Sequence, residues 1–182
     1  MDDPQARRLS HRRVYDGKVL ALDVDEVEEP GGVRAQREAV RHRGSAAVLA
    51  LDQDRRVVLV RQYRYPVDDR VWELPAGRLD AGERPEQAAR RELVEEVGLE
   101  PQSLEQIAFF YTTPGFCDET MHLFRATGLR QVPARPEADE KLEIRWFTAQ
   151  ELRGMMDAGD IREAKTLVAL LLEERRAREV SP

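Results

Sequence analysis

Three glutamates lie close together in the middle of the chain: Glu92, Glu95 and Glu96. On a helix these positions are i, i+3 and i+4, so the three carboxylates share one face. Clustered anions repel each other, and the cluster is better explained if a hard divalent cation lies among them. Mg²⁺ prefers carboxylate and phosphate oxygens and retains several waters. The spacing therefore predicts a magnesium site that can meet a phosphate-bearing ligand.

Further residues at fixed spacings surround this cluster: Gly77, Glu83, Arg91 and Gly98. Glu83 and Arg91 can support the metal ligands from outside. The glycine turn before the helix would let a backbone carbonyl, with Ala76 the candidate, approach the same metal. An ordinary solvated helix also contains paired glutamates, but a chance match at all seven positions has a probability of roughly 10⁻⁵ over the chain. The pattern is therefore a strong functional signal.

These residues match, at every fixed position, the box that defines the Nudix hydrolases, Gly-x5-Glu-x7-Arg-Glu-apolar-x-Glu-Glu-x-Gly-apolar. The resemblance implies an α/β fold of the Nudix type, an α/β/α sandwich with a mixed sheet, in which the box forms a loop, a helix and a loop. It also implies Mg²⁺-dependent hydrolysis of a nucleoside diphosphate linked to another moiety. Carried over by position, it assigns Glu92, Glu95, Glu96 and the Ala76 carbonyl as metal ligands, with Glu92 and Glu95 also counted as catalytic.

A second segment, YTTPGFCDE at 111–119, places Pro114 sixteen positions after Gly98. Alone it reads as a plain Pro-Gly turn. A proline at that offset, within S/T-P-G-x-x-(D/S)-E, resembles the ADP-ribose pyrophosphatase branch of the family. The resemblance implies hydrolysis of ADP-ribose to AMP and ribose 5-phosphate. It assigns substrate binding to Arg78, Thr113, Pro114, Gly115 and Glu119.

Other substrates stay open at this point. The box is equally compatible with hydrolysis of a nucleotide sugar, a dinucleoside polyphosphate or a damaged nucleoside triphosphate. A module that binds ADP-ribose without cleaving it is the alternative from a different class. The complete set of box acids argues against that module.

More substrate contacts follow from the same resemblance. The strand VRQYR resembles one that carries a substrate-binding arginine, which places that role on Arg64. Arg37 and Glu38 resemble an N-terminal substrate pair contributed across a domain-swapped homodimer, although Gln36 stands where some relatives have arginine. Val19 falls where relatives place an adenine contact, a buried strand valine being the alternative.

The reaction also needs a general base, because water attacking phosphorus must lose a proton. In this branch the base is a glutamate on a loop between two late strands, here within PEADEKLEIRW. Spacing favours Glu140. Asp139 and Glu137 are the alternatives, since Ala138 occupies the place of the acid that some relatives use. The choice between Mg²⁺ and Mn²⁺ stays open.

Periodicity indicates the elements that must position these residues. Pro85 at a first helical position and Gly98 just past the end predict a helix over 85–97. Two apolar runs parted by Gln53 and Asp54 predict a hairpin. Thr148 begins a capping-box pattern that opens a short helix. Further strands are predicted at 106–112, 121–126 and 142–147, and a final amphipathic helix from Ile161 to Leu172.

The N-terminal part predicts a small appendage. Residues 1–13 are polar and without period, which is typical of a frayed leader. The alternating run from Val19, followed by Pro30-Gly31-Gly32 and a weaker run toward Val40, predicts an antiparallel hairpin. We therefore expect a dimer-forming N-terminal segment at 1–43 and a Nudix domain at 44–182.

Composition limits the remaining possibilities. The 182 residues include 35 acids and 29 bases, a net charge of −6 without a basic stripe, which argues against a nucleic-acid partner. No run approaches the roughly 18 apolar residues of a membrane span. The sequence lacks a readable secretory signal, and the single Cys117 cannot form an internal disulfide, so we expect a cytoplasmic protein. The three histidines show no zinc-site spacing.

Overall fold

The computed structural model describes residues 5–135 and 141–180. They form two compact units. The first unit contains residues 5–44 and Phe110–Thr120, and the second contains Ser45–Phe109 with the described part of the chain from Met121 onward. No helix within the described ranges is long and apolar enough to cross a membrane.

The first unit is built on a three-stranded antiparallel sheet in the order β1-β2-β3. Its strands are β1 Arg7–Asp16, β2 Ala21–Glu28 and β3 Arg34–Arg41. The predicted hairpin is present as β2 and β3, which pair in register from Ala21 opposite Arg41 to Glu28 opposite Arg34. The predicted frayed leader is wrong for residues 7–13, which belong to β1.

Buried carboxylates on β2 explain why so polar a segment becomes a strand. Asp23 and Asp25 are 2% and 6% exposed. Arg13 donates to Asp23 over 2.8 Å and Arg41 over 2.9 Å. Hydrogen bonds from Arg13 and Arg41 hold the pKa of Asp23 well below its usual range. The His11 ring lies 2.7 Å from Asp25. Charge pairing thus holds β1 in place where an apolar pattern is missing.

The described part of the second unit contains two sheets and three α-helices. Its strands are β4 Ser45–Ala50, β5 Val57–Arg64, β6 Asp69–Glu73, β7 Ala76–Arg78, β8 Leu99–Tyr111, β9 Thr120–Gln131 and β10 Glu143–Phe147. The four-stranded sheet has the order β7-β4-β9-β8, and the three-stranded sheet has the order β10-β5-β6. Because β4 pairs parallel with β9 and antiparallel with β7, the first of these sheets is mixed.

The predicted hairpin of the two apolar runs is wrong. Among the described residues, pairing between the two runs is limited to the bridge between Leu51, directly after β4, and Val57 of β5, and the two strands enter different sheets. β4 is buried along its whole length, and the first four residues of β5, VVLV, are buried on both faces. A strand of that kind needs cover on both sides, which two packed layers provide and an isolated hairpin does not.

The helices are α1 Pro85–Val97, α2 Ala149–Asp157 and α3 Ala164–Val180. α1 packs on β4 and β7, burying Ala88, Ala89 and Leu93 completely. Thr148 caps α2 by accepting from the Glu151 backbone N–H, as the capping-box pattern predicts. α1 is therefore fixed against the sheet edge formed by β7, with its polar face left for the glutamates.

His122 on β9 gives the stability of the fold a pH dependence. Its ring lies 5.0 Å from the Phe109 ring, and its buried Nδ1 has no hydrogen-bond partner among the described residues. Burial lowers the pKa of His122 below its usual 6.5, so the unfolded chain binds this proton more tightly. The stabilisation is complete above pH 6.5 and is lost as the pH falls toward the folded pKa.

We expect denaturant unfolding to show a falling unfolding free energy as the pH drops below 6.5. The variant His122→Gln should flatten this part of the profile, because glutamine does not titrate. A His122→Gln profile that keeps the full slope would assign the pH dependence to other groups.

Candidate active site

Local sequence fixes the helix that carries the glutamates. Arg84 is the extended N-cap residue (φ −78°, ψ 145°), and Pro85 begins α1. Gly98 ends it in the left-handed region (φ 65°, ψ 39°), and its N–H donates to the Val94 carbonyl over 3.0 Å. The predicted helix over 85–97 is confirmed at both ends.

Glu96 is a buried carboxylate at the junction of α1 and β7. Its residue is only 2% exposed. The Ala76 backbone N–H donates to Glu96 Oε2 over 3.1 Å. The hydrogen bond therefore places Ala76, whose carbonyl is a predicted metal ligand, beside Glu96, whose carboxylate is another.

Glu92 lies directly over Gly77. A Cβ atom built on Gly77 would stand 1.8 Å from Glu92 Oε1 and 2.1 Å from its Cδ, far closer than real side chains approach. The glycine at the start of the box thus provides the space in which the Glu92 carboxylate sits. The contact explains the glycine by space rather than by backbone conformation.

Arg91 organises the remaining acids of the box. Its Nε and Nη2 donate to the two Glu83 oxygens, each over 2.9 Å. Its Nη1 donates to Glu92 over 2.6 Å and to Glu95 over 3.0 Å. Hydrogen bonds to Glu83 and the charges of the neighbouring acids raise the pKa of Arg91. Arg91 thus offsets part of the repulsion that the sequence analysis assigned to a cation alone.

These oxygen donors fit a hard divalent cation whose coordination shell is completed by the substrate. Within residues 5–135 and 141–180, no group of three His, Cys, Asp or Glu side chains forms a ready-made metal cage. Mg²⁺ does not require one, because it binds through one or two carboxylates together with waters and substrate phosphates. The side chains of Glu92 and Glu95 are 12% and 36% exposed. Of the three glutamates, Glu92 and Glu96 are also the two that lie against β7, at Gly77 and at Ala76.

Arg64, at the end of β5, is held by a glutamate that the sequence analysis did not identify. Its Nε and Nη2 donate to the Glu73 carboxylate over 2.8 and 2.7 Å. The pKa of Arg64 is raised by these hydrogen bonds and by the negative charges of Glu73, Glu96 and Glu163. The signal that could have found Glu73 is a lone charge between apolar neighbours in VWELP.

Arg78 is the remaining predicted substrate residue of the second unit. It lies on β7 opposite Ser45. Its backbone carbonyl accepts a hydrogen bond from Arg91 Nη2 over 3.0 Å. The arginine of the box thus also fixes the backbone beside Gly77.

The Pro-Gly segment forms a turn within the first unit. The Thr113 carbonyl accepts from the backbone N–H groups of Phe116 and Cys117 over 3.2 and 3.0 Å. Thr112 Oγ1 donates to Glu119 over 2.9 Å. Pro114 and Gly115 are exposed at the tip. These contacts give the segment a defined shape.

Asp118 attaches this turn to β3. It accepts from the His42 backbone N–H over 2.7 Å and from Arg41 over 3.2 Å. The Val40 N–H donates to the Phe116 carbonyl over 2.7 Å. The quoted motif includes Asp118, but the sequence did not indicate its pairing with Arg41, which stands 77 positions away.

The other predicted N-terminal contacts also lie in the first unit. Val19 is 54% exposed and lies between β1 and β2, so the alternative of a buried strand valine is wrong. Arg37 on β3 pairs with Glu29, and Glu38 is exposed. The acids considered for the general base, Glu137, Asp139 and Glu140, lie outside the described residues.

Comparison with known families agrees with this geometry. Residues 41–170 match the NUDIX domain, and the chain therefore belongs to the Nudix family. The resemblance noted in the sequence is confirmed, and with it the enzyme class, a Nudix pyrophosphohydrolase.

Individual relatives are similar over most of their length. The chain is 36% identical to an "ADP-ribose pyrophosphatase" of Bacillus subtilis (strain 168), covering 93% of each chain. It is 37% identical to a "Methanol dehydrogenase activator" of Bacillus methanolicus, covering 91% of each. It is 38% identical to an "ADP-ribose pyrophosphatase" of Mycobacterium tuberculosis (strain ATCC 25618 / H37Rv), covering 90% of this chain and 80% of the relative.

A solved structure shows the same fold. It is titled "Crystal structure of ADP compounds hydrolase", and its superposition gives a TM-score of 0.85 at 22% identity, covering 97% of this chain and 96% of that one. The expected fold class, a mixed sheet with helices in the Nudix arrangement, is confirmed.

Proposed function

We propose that the protein hydrolyses ADP-ribose to AMP and ribose 5-phosphate with Mg²⁺ as cofactor. The observation that carries the proposal is the complete box, in which α1 brings Glu92 onto Gly77 and Glu96 onto Ala76. Two of the relatives above bear the name of this activity. The intact acids favour a catalyst over a module that only binds ADP-ribose.

In this mechanism Glu92, Glu95, Glu96 and the Ala76 carbonyl would hold the cation. A bound divalent cation supplies charge neutralisation for the diphosphate and lowers the pKa of a water. Arg91 keeps the carboxylates in place through its hydrogen bonds to Glu83, Glu92 and Glu95. Arg64 and Arg78 bind anionic parts of the substrate.

The chemical step is a displacement at phosphorus. Glu140 takes a proton from the attacking water, a P–O bond forms, and the P–O bond to the leaving phosphate group breaks. The products are AMP and ribose 5-phosphate. Asp139 and Glu137 are the alternative bases on the same segment.

The remaining substrate contacts of this proposal are those that the resemblance assigns to residues of the first unit. The turn with Thr113, Pro114, Gly115 and Glu119 contacts substrate, Val19 contacts the adenine, and Arg37 and Glu38 act across a homodimer formed by residues 1–43. A molar mass of two chains in light scattering at micromolar concentration supports this part. A monomer would remove the role of Arg37 and Glu38 in the partner's site. We further propose a cytoplasmic location, in which Cys117 stays reduced.

A substrate panel tests the activity. We expect AMP release from ADP-ribose to exceed the turnover of nucleotide sugars, dinucleoside polyphosphates and nucleoside triphosphates, with Mg²⁺ and Mn²⁺ assayed in parallel. Products are identified by chromatography of the nucleotides and by phosphate analysis. A nucleotide sugar at the top of the panel would overturn the substrate assignment and leave the reaction class intact. Tight ADP-ribose binding without metal-dependent turnover would favour the binding module.

A further inference from the structure

Glu73 is a buried charge that the mechanism above leaves without a role. It lies at the end of β6, opposite Val60 of β5, and is only 2% exposed. Removing a carboxylate from water is costly unless cations and hydrogen bonds compensate it. The compensation here is complete enough that the pKa of Glu73 is lowered, although burial acts in the opposite direction.

The partners of Glu73 come from the neighbouring strand β5 and from α3. Arg64 binds both carboxylate oxygens side-on through Nε and Nη2. Lys165 at the start of α3 donates to Oε2 over 3.0 Å, and it also pairs with Glu163 over 3.1 Å. A bidentate pair fixes the plane of a guanidinium as well as its place.

The backbone around Glu73 is anchored to the same helix. The Leu74 N–H donates to Thr166 Oγ1 over 2.9 Å, and Thr166 Oγ1 in turn donates to Glu163 over 2.8 Å. Thr166 is fully buried. Glu73 therefore has little freedom to move, and it is a firm support for Arg64.

Arg64 itself stays accessible. Its side chain is 42% exposed, and it borders an open groove of about 480 Å³ together with Val71, Arg162 and Lys165. The charge of Glu96 also acts on Arg64. Glu73 binds the guanidinium through Nε and Nη2, and it stands three residues before Ala76, whose backbone N–H donates to Glu96.

We propose that Glu73 is the positioning residue of Arg64, holding its guanidinium so that the remaining N–H groups receive the anionic part of the substrate. The inference rests on the proposed function. Glu73 acts by preorganisation, because an arginine that Glu73 already holds loses less conformational freedom when substrate binds. Lys165 completes this support by donating to Glu73 Oε2 and by neutralising part of the carboxylate charge.

A buried glutamate elsewhere in the unit offers a matched control. Glu173 on α3 is 9% exposed and accepts from Arg55 over 2.7 Å and from Arg125 over 2.9 Å. Glu173→Gln makes the same chemical change as Glu73→Gln in a similar two-cation setting. It touches neither Arg64 nor the box, so it reports the purely structural cost.

Steady-state kinetics with ADP-ribose then separate the two roles. We expect Glu73→Gln to raise KM by roughly tenfold to 10²-fold with a much smaller change in kcat, because a misplaced group loses binding first. Glu173→Gln should leave KM unchanged, and Glu73→Asp should recover part of the loss. In Arg64→Ala, adding Glu73→Gln should cost nothing more. An unchanged KM in Glu73→Gln, or additive losses in the double variant, would overturn the proposal.

A second readout does not depend on the substrate. In NMR spectra, the Arg64 Nε–H signal is assigned by its loss in Arg64→Lys. We expect this proton to exchange slowly with solvent in the wild-type protein and rapidly in Glu73→Gln. If the wild type fails to release AMP from ADP-ribose, the proposed function fails, and the KM comparison moves to the best substrate of the panel. Equal Nε–H exchange in both proteins would refute the positioning role whatever the substrate is.

Discussion

Glu96→Gln is expected to lower kcat for ADP-ribose hydrolysis by on the order of 10³-fold, because the stabilisation supplied through a metal ligand is worth several kcal/mol. The fold should survive the change. Glutamine keeps an oxygen that can accept the Ala76 N–H, and it removes a charge from a site that is only 2% exposed. Glu92→Gln should cause a loss of similar size.

The measurement is kcat at saturating Mg²⁺, with thermal unfolding recorded for each variant. Glu86→Gln is the matched control, since Glu86 lies on the same helix and its side chain is 50% exposed beside Arg90. It should keep wild-type turnover. Near-full turnover of Glu96→Gln at saturating Mg²⁺ would show that the metal assignment is wrong.

The helix of the box could be predicted from sequence because its determinants are local. Pro85 has a fixed φ that suits the first helical position, and Gly98 tolerates the left-handed conformation that ends α1. Once the helix is predicted, helical geometry alone puts the three glutamates on one face. A functional site on one helix with its flanking turns is the kind of feature that a linear pattern records.

Strand pairing was predicted less well because its determinants are not local. Strand β1 is held by buried Asp23 and Asp25, so its partners are charges on another strand and no apolar alternation marks it. The two apolar runs looked like a hairpin, but β4 is buried on both faces and pairs with β7 and β9 instead. The pairing of β1 and that of β4 are therefore not predictable from the residues of each strand alone.

Buried ion pairs could not be predicted either, because their partners are also distant in the sequence. Glu73 and Lys165 stand 92 positions apart, and Arg91 balances acids whose mutual repulsion the sequence alone assigned to a cation. A residue list shows which groups carry charge, whereas the fold determines which of them meet. The sequence therefore indicated Glu83 and Arg91 as supports of the box, but it did not show which acids Arg91 contacts or that Arg64 pairs with Glu73.

Gly77 shows how a single contact links the box to its chemistry. The residue lies on β7 beneath the Glu92 carboxylate, which occupies the place of the missing Cβ. Any larger residue must displace Glu92, because 1.8 Å is far below a van der Waals contact. The displaced group is the far end of a flexible side chain, so the backbone can remain in place.

Gly77→Ala is therefore expected to reduce kcat/KM by about 10²-fold, the typical cost of moving a catalytic group by an ångström. The concentration of Mg²⁺ needed for half-maximal rate should rise as well, since a proposed ligand has lost its position. Gly154→Ala on α2 is the control, because an added methyl group there meets nothing within 4 Å and activity should not change. Thermal unfolding of both variants should stay close to wild type. A Gly77→Ala enzyme with wild-type kcat/KM and an unchanged Mg²⁺ requirement would mean that Glu92 can serve from another position, and the tight approach of helix and glycine would then be packing alone.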